Sequence, residues 1–330
     1  MKKLIAAAVA TSVSAIALAD VSITGQLKTN FTHTDYQLST KNDSDTFTSE
    51  GDLYIKGKNG DTSVVMNIGG LDSTATQGAA GGDGSIAIED AYLTTKIGDV
   101  NVKMGNYDNG NNHLRASDRN SRASLSTSIG GFSLGYLNGN GGDSQNDEVT
   151  IATELGGVAV SYTAKDGGET IKASTTLGGV KVAYVGLPSD TANSDRSSIE
   201  LSTELSGVGI KIAKAEAETA TCLQGDTWLG DFERGNTCSS TDSSTDAYAL
   251  TKGQDVTGVE LSTSVSGNKV VFRNVNVDDV AGEDTSYNKV IVTRPLASGA
   301  TLEVTYTDLA DDGQTATDSE TLDIELAVKF

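Results

Sequence analysis

The 330-residue chain has few of the side chains that carry soft-metal or nucleophilic chemistry: two histidines, two cysteines, three methionines and one tryptophan. So small a stock leaves little material for a multi-ligand metal site, and neither a metal nor a cofactor is expected. Positive charge is scarce too, with 24 Lys+Arg against 45 Asp+Glu and a formal net charge of −21. A chain of that sign repels phosphate and offers no basic footprint, which argues against a nucleic-acid partner. Beyond the first twenty residues, no apolar run approaches the roughly 18 residues that a membrane helix needs. A helical membrane protein is excluded.

The N-terminus reads as a targeting segment. Met1, Lys2 and Lys3 make a short basic start, Leu4 to Ala17 are apolar and small, and Ala17-Leu18-Ala19 is an A-x-A exit. This is the pattern of a secretory signal peptide over 1–19. Its removal takes away two lysines and no acid, moving the formal charge from −21 to −23. Residues 20–330 are then the exported domain.

One phrase recurs along that domain: LSTSIGG at 125–131, IATELGG at 151–157, ASTTLGG at 173–179, LSTELSG at 201–207 and LSTSVSG at 261–267. Each is followed by a second alternating run, such as Phe132, Leu134, Tyr136 or Val180, Val182, Tyr184. Period-2 alternation puts Ile, Leu, Val and Tyr on one face of a strand and Ser, Thr, Glu and Lys on the other. The Gly-Gly or Ser-Gly pair suits a tight hairpin turn. Related hairpins fall at Asn59-Gly60, Gly98-Asp99 and Ser298-Gly299.

Eight short turns join sixteen strands, and two more strands flank them at 21–31 and 321–330, giving eighteen. The nine opposite connections are mostly longer and polar, near 32–47, 71–85, 107–121, 139–146, 166–168, 188–195, 216–255, 277–286 and 309–318. An open sheet of this width would leave two long edges, which natural proteins avoid. With no helices to cover either face, and one face uniformly small and polar, the pattern predicts an all-β, closed antiparallel transmembrane barrel. Its apolar face meets lipid and its polar face meets water. Tyr136, Tyr162 and Tyr184 stand only about 12 Å above the turn glycines on tilted strands. That is mid-band, too low for an interface girdle; Phe31, Phe132 and Phe330 fit that role better.

The last strand alternates Leu322, Ile324, Leu326 and Val328 with Thr321, Asp323, Glu325 and Ala327 and ends on Phe330. It resembles the sorting signal of Gram-negative outer-membrane barrels. Residues 89–105, EDAYLTTKIGDVNVKMG, are similar to the fourth and fifth strands of general diffusion porins, and 118–125, DRNSRASL, to their re-entry into strand six. General porins usually have sixteen strands, so either one hairpin is over-read or this barrel is wider. The resemblance implies an outer-membrane location, contact with lipid and lipopolysaccharide, insertion by the barrel-assembly machinery, and a homotrimer.

A barrel this wide encloses water rather than side chains. In porins the loop after strand five folds inward and sets pore size and field. Here that loop is 107–121, with Asp108, His113, Arg115, Asp118 and Arg119, and Arg122 just beyond. Opposed charges there would impose a transverse field favouring small polar solutes, or would simply pair and hold the loop. Glu89 lies where porins commonly carry a basic wall residue; with the acidic total it suggests a cation preference. Lys28, Lys56, Lys172, Lys181, Lys211 and Arg273 alternate inward and temper it. Cys222 and Cys238 fall in the long external loop 216–255, and in an exported protein they are expected to form a disulfide.

The sequence therefore predicts a water-filled channel for passive diffusion of small hydrophilic solutes and ions. The alternatives are a substrate-selective outer-membrane channel and a secreted β-rich adhesin or surface structural protein. An enzyme is not expected, because His33 and His113 fall on different loops and no G-x-S-x-G elbow occurs.

Overall fold

The computed structural model describes residues 21–37, 43–69, 73–76, 87–108, 113–114, 119–139, 147–165, 168–218, 227–229, 254–279, 285–311 and 318–330. Every named element among them is a strand. The first seven are β1 (Val21–Tyr36), β2 (Ser44–Asn59), β3 (Thr62–Gly69), β4 (Ser73–Thr76), β5 (Ala87–Ile97), β6 (Val100–Asp108) and β7 (Arg119–Ile129). Next come β8 (Phe132–Gly139), β9 (Glu148–Leu155), β10 (Val158–Lys165), β11 (Gly168–Leu177), β12 (Val180–Leu187) and β13 (Arg196–Leu205). The chain finishes with β14 (Val208–Ala217), β15 (Gln254–Val265), β16 (Asn268–Asp279), β17 (Thr285–Pro295), β18 (Ala300–Asp311) and β19 (Ser319–Lys329).

These segments form one antiparallel ring. β2 pairs with β3 along 53–59 and with β4 along 46–49, so β3 and β4 share one place in the wall. The ring therefore has eighteen places, and it closes because β1 pairs with both β2 and β19. Eighteen strands hold and the sixteen-strand alternative falls. The porin-like stretch 89–105 does occupy the fourth and fifth places.

The tight turns are where the glycine pairs put them. Gly130 and Gly131 have φ of +57° and +86°, the two left-handed centres of a type I′ hairpin. At the far ends the strands run beyond the sequence expectation. β1 continues to Tyr36 and β16 to Asp279, leaving shorter connections than 32–47 and 277–286. Above the membrane both faces turn polar, so alternation stops signalling a strand while backbone pairing continues.

Faces follow the alternation. Ile23 is 63% and Leu177 65% exposed, and Leu27, Ile151, Ile212 and Leu326 share the outer surface with them. A continuous apolar belt of this kind is untenable in water and expected in lipid. Leu261 sits within it, flanked by Ile210 and Phe272 on the neighbouring strands. Leu261→Arg should cost about 2–4 kcal/mol, read by equilibrium unfolding in lipid. Ser161→Arg, pointing into the lumen, should change stability by no more than about 0.5 kcal/mol. Equal costs at the two positions would reverse the assigned faces.

The tyrosines correct the mid-band expectation. Tyr136 donates its hydroxyl to Asp147 (2.8 Å) and Tyr162 to Glu169 (2.6 Å), both acceptors at the loop ends of strands. β8 and β10 have only eight residues each. A ring midway up so short a strand reaches the polar boundary, with its body in the apolar belt and its hydroxyl above. These residues form an interface girdle after all.

At the seam, Gly25 N–H donates to the Phe330 carbonyl (2.7 Å) and Phe330 N–H to the Gly25 carbonyl (3.0 Å). The Phe330 ring covers Gly25 on the outer face, where a Cβ would stand 2.5 Å from Cζ. The terminal aromatic thus fastens the last strand to the first.

Candidate pore constriction

Loop 107–121 leaves the wall at Asp108 on β6 and returns at Arg119 on β7, two residues opposite one another in the ladder. Between them, His113 and Leu114 lie against β13, seven places around the ring. His113 donates from Nε2 to Glu200 Oε2 (3.1 Å), and its Nδ1 pairs with the Thr227 hydroxyl. Arg196 donates from Nη1 to the Leu114 carbonyl (3.0 Å). These contacts hold two residues of the loop, His113 and Leu114, on the inner side of the wall at β13.

A second inward segment meets it. Trp228 donates its indole N–H to Glu200 Oε2 (2.8 Å) and stands edge-on to His113 with ring centroids 5.9 Å apart. Tyr287 donates to the Trp228 carbonyl (3.2 Å). Leu114 and Leu229 are 0% and 1% exposed, packed among Ala213, Ala215, Val256, Val275, Val277 and Tyr287 on the inner faces of β14–β17. This corrects the expectation that the inner face is uniformly small and polar: one arc of it is an apolar seat for two loops. Gly258 makes the approach possible, since a Cβ there would be 2.6 Å from Leu229 Cδ1 and 3.0 Å from Trp228 Cζ3.

The remaining lumen is lined by charge in two arcs. From β18 round to β5 the inner face carries Glu303, Asp323, Glu325, Glu50, Asp52, Glu89 and Asp90, tempered by Lys56, Lys58, Lys96 and Lys329 and by Lys28, 3.5 Å from Glu50. From β6 to β17 bases predominate, with Lys103, Arg122, Lys172, Lys181, Arg196, Lys211, Arg273 and Lys289 set among Glu148, Glu154, Glu200, Glu204 and Glu260. In this basic arc, Glu260 is held between Lys211 (2.8 Å) and Arg273 Nε (2.7 Å). Lys172, Lys181 and Glu154 share a cavity of about 660 Å³ with the small side chains of Ser133, Ala152, Ala159 and Ser161.

Of the predicted site residues, Glu89 and Arg119 come together, with Nη2 of Arg119 3.6 Å from Glu89 and its Nε 3.2 Å from Asp90. Glu89 is thus an ion-paired carboxylate rather than an isolated one, which weakens the ground for a cation preference. Arg122 is buried and stands 5.6 Å from the Tyr107 ring, beside Lys103, which lies 3.7 Å over the same ring and 4.2 Å over Tyr92. His113 is apart from both groups, on the far wall. Arg115, Asp118, Cys222 and Cys238 lie outside the described residues, as does the 1–19 segment.

Sequence reasoning missed Glu200, Arg196, Glu260, Lys103 and Trp228. Trp228 was the legible one: the only tryptophan of the chain, next to Leu229, inside a long polar loop. An apolar pair in that setting marks an anchor tucked out of water.

No protein-family model matches the chain, and no curated protein matches it. Solved structures do. OccK9 (OpdG) of Pseudomonas aeruginosa matches with a TM-score of 0.66 at 10% identity, over 94% of this chain and 98% of that one. OpdL of the same species gives 0.66 at 10% identity, over 95% and 99%. A BenF-like porin from Pseudomonas fluorescens Pf-5 gives 0.62 at 11% identity, over 95% and 99%. Likeness at this identity establishes the fold: a porin-like, eighteen-strand barrel of the outer-membrane type.

Proposed function

We propose that this porin-like outer-membrane barrel is a substrate-selective channel for small hydrophilic solutes carrying separated positive and negative charge. The observation that carries the reading is a loop tip pinned to the inner wall by His113, Leu114 and Trp228, which confines the route between an acidic and a basic arc. Two arcs of opposite sign set up a transverse field that orients a dipolar solute and strengthens where water is excluded. General diffusion, the sequence expectation, sorts solutes chiefly by size.

The −23 of the mature chain does not fill the lumen. Glu216, Asp255, Asp278, Asp308 and Glu320 alternate to the outer face at the loop ends of β14–β19. Selectivity between potassium and chloride is accordingly weak.

Liposome swelling tests the reading. Zwitterionic amino acids should enter faster than neutral sugars of equal size, and Lys172→Glu with Lys181→Glu should abolish the difference. Equal rates in the unaltered channel would return the protein to general diffusion. The trimer implied by the sequence resemblance is read from the protein mass in detergent: three copies support it and one removes it.

A further inference from the structure

Where β2, β3 and β5 meet on the inner wall, two carboxylates converge on a glycine. A Cβ on Gly69 would collide with Glu89 Oε1 and stand 3.0 Å from Asp52 Oδ1. The missing side chain lets two anionic oxygens from different strands come within a few ångströms of each other. Glu89 arrives there through a β-bulge: Asp90 opposes Asn67 and Ile88 opposes Ile68, leaving Glu89 as the extra residue. Bulges of this kind re-aim a side chain.

The second observation is the amide of Asn67, which stands beside them on β3, opposite Tyr54 and Asp90. Asn67 is 4% exposed and donates from Nδ2 to Glu89 Oε2 (2.9 Å), while its buried Oδ1 has no hydrogen-bond partner. Asp52 accepts from Gln26 Nε2 (2.7 Å) on Oδ2, so its Oδ1 is the oxygen turned to Gly69 and Glu89. Arg119 pairs with Glu89 and Asp90 at this corner, and Lys103 acts electrostatically on Asp90. Three carboxylates, Asp52, Glu89 and Asp90, against Arg119 and Lys103 leave an excess of one negative charge. Among the described residues no three His, Cys, Asp or Glu side chains form a metal cluster. A cation here therefore needs a neutral third oxygen, and Asn67 Oδ1 supplies one.

We propose that this corner holds a hydrated hard divalent cation, of the Ca²⁺ or Mg²⁺ class. Its ligands are Asp52 Oδ1, Glu89 Oε1 and Asn67 Oδ1, with lumen water completing the shell. Carboxylate and amide oxygens are the donors such ions prefer, and so few protein ligands make an open, weak site. The remaining negative charge favours a cation, and binding gives the unpartnered amide oxygen a partner. The site does not depend on which solutes the channel passes.

Terbium(III) tests it on the folded protein in detergent. Tyr54 opposes Asn67 in the ladder and is placed to sensitise a bound lanthanide. Excitation through tyrosine should give terbium emission that millimolar Ca²⁺ displaces. D52N/E89Q should lower the displaceable emission about tenfold, and N67V, which keeps both carboxylates, about threefold. D278N, on the outer face, should leave it unchanged. Each variant is scored only on material with the gel mobility of the closed barrel, and N67V alone suffices if the double variant does not fold. Absence of Ca²⁺-displaceable emission from the unaltered protein, or full emission from folded N67V or D52N/E89Q, would overturn the site.

Discussion

Leu114→Ala combined with Leu229→Ala should raise single-channel conductance severalfold while leaving the melting of the barrel wall nearly unchanged. Both side chains are fully buried in the apolar seat inside the lumen. Truncating a buried leucine removes about 2–5 kcal/mol. Here that loss falls on the docking of two loops rather than on the strand ladder. The other ties include His113 to Glu200 and Thr227, Arg196 to the Leu114 carbonyl, Trp228 to Glu200 and Tyr287 to the Trp228 carbonyl. Single hydrogen bonds of this kind contribute about 1 kcal/mol net, too little to keep both segments seated. His113→Ala alone should therefore give a smaller rise, with more current noise. Planar-bilayer recording checks both; wild-type conductance in the double variant would mean the tip does not restrict the route.

Removing Phe330 should lower the amount of folded protein in the outer membrane by one to two powers of ten. The deletion loses two seam hydrogen bonds at about 0.5–1.5 kcal/mol each, together with the ring that covers Gly25. Gly25→Val separates closure from recognition by the insertion machinery. It leaves the C-terminus intact and displaces the ring, so a reduced level identifies the seam as the cause. A normal level for G25V beside a low level for the deletion would assign Phe330 to recognition alone.

The barrel was legible because its physics is local. Alternation such as Leu201, Thr203 and Leu205 against Ser202 and Glu204 fixes the faces, and the pairs Gly178-Gly179 and Ser206-Gly207 fix the hairpins. The strand count followed from these alone. The lumen was less legible, because its contacts join residues far apart in the chain. Nothing local ties His113 to Glu200, 87 positions away, or Arg196 to Leu114, 82 away. Val275 and Tyr287 read as ordinary inward strand positions until two loops are found packed on them. The bulge at Glu89 was hidden for a different reason: one extra residue in one strand leaves no mark in period-2 alternation, yet it turns two adjacent acids to the same side.

The wall is of uneven length. β1 and β2 run sixteen residues each, whereas β8, β9, β10 and β12 run eight. At about 3.3 Å per residue on tilted strands, the difference amounts to roughly 20 Å of height. The strand ladder is then stepped, tall at β1 and β2 and low at β8–β10 and β12. Lys172 and Lys181 belong to the low flank, Glu50 and Asp52 to the high one, so the difference in strand length also separates the two signs of charge.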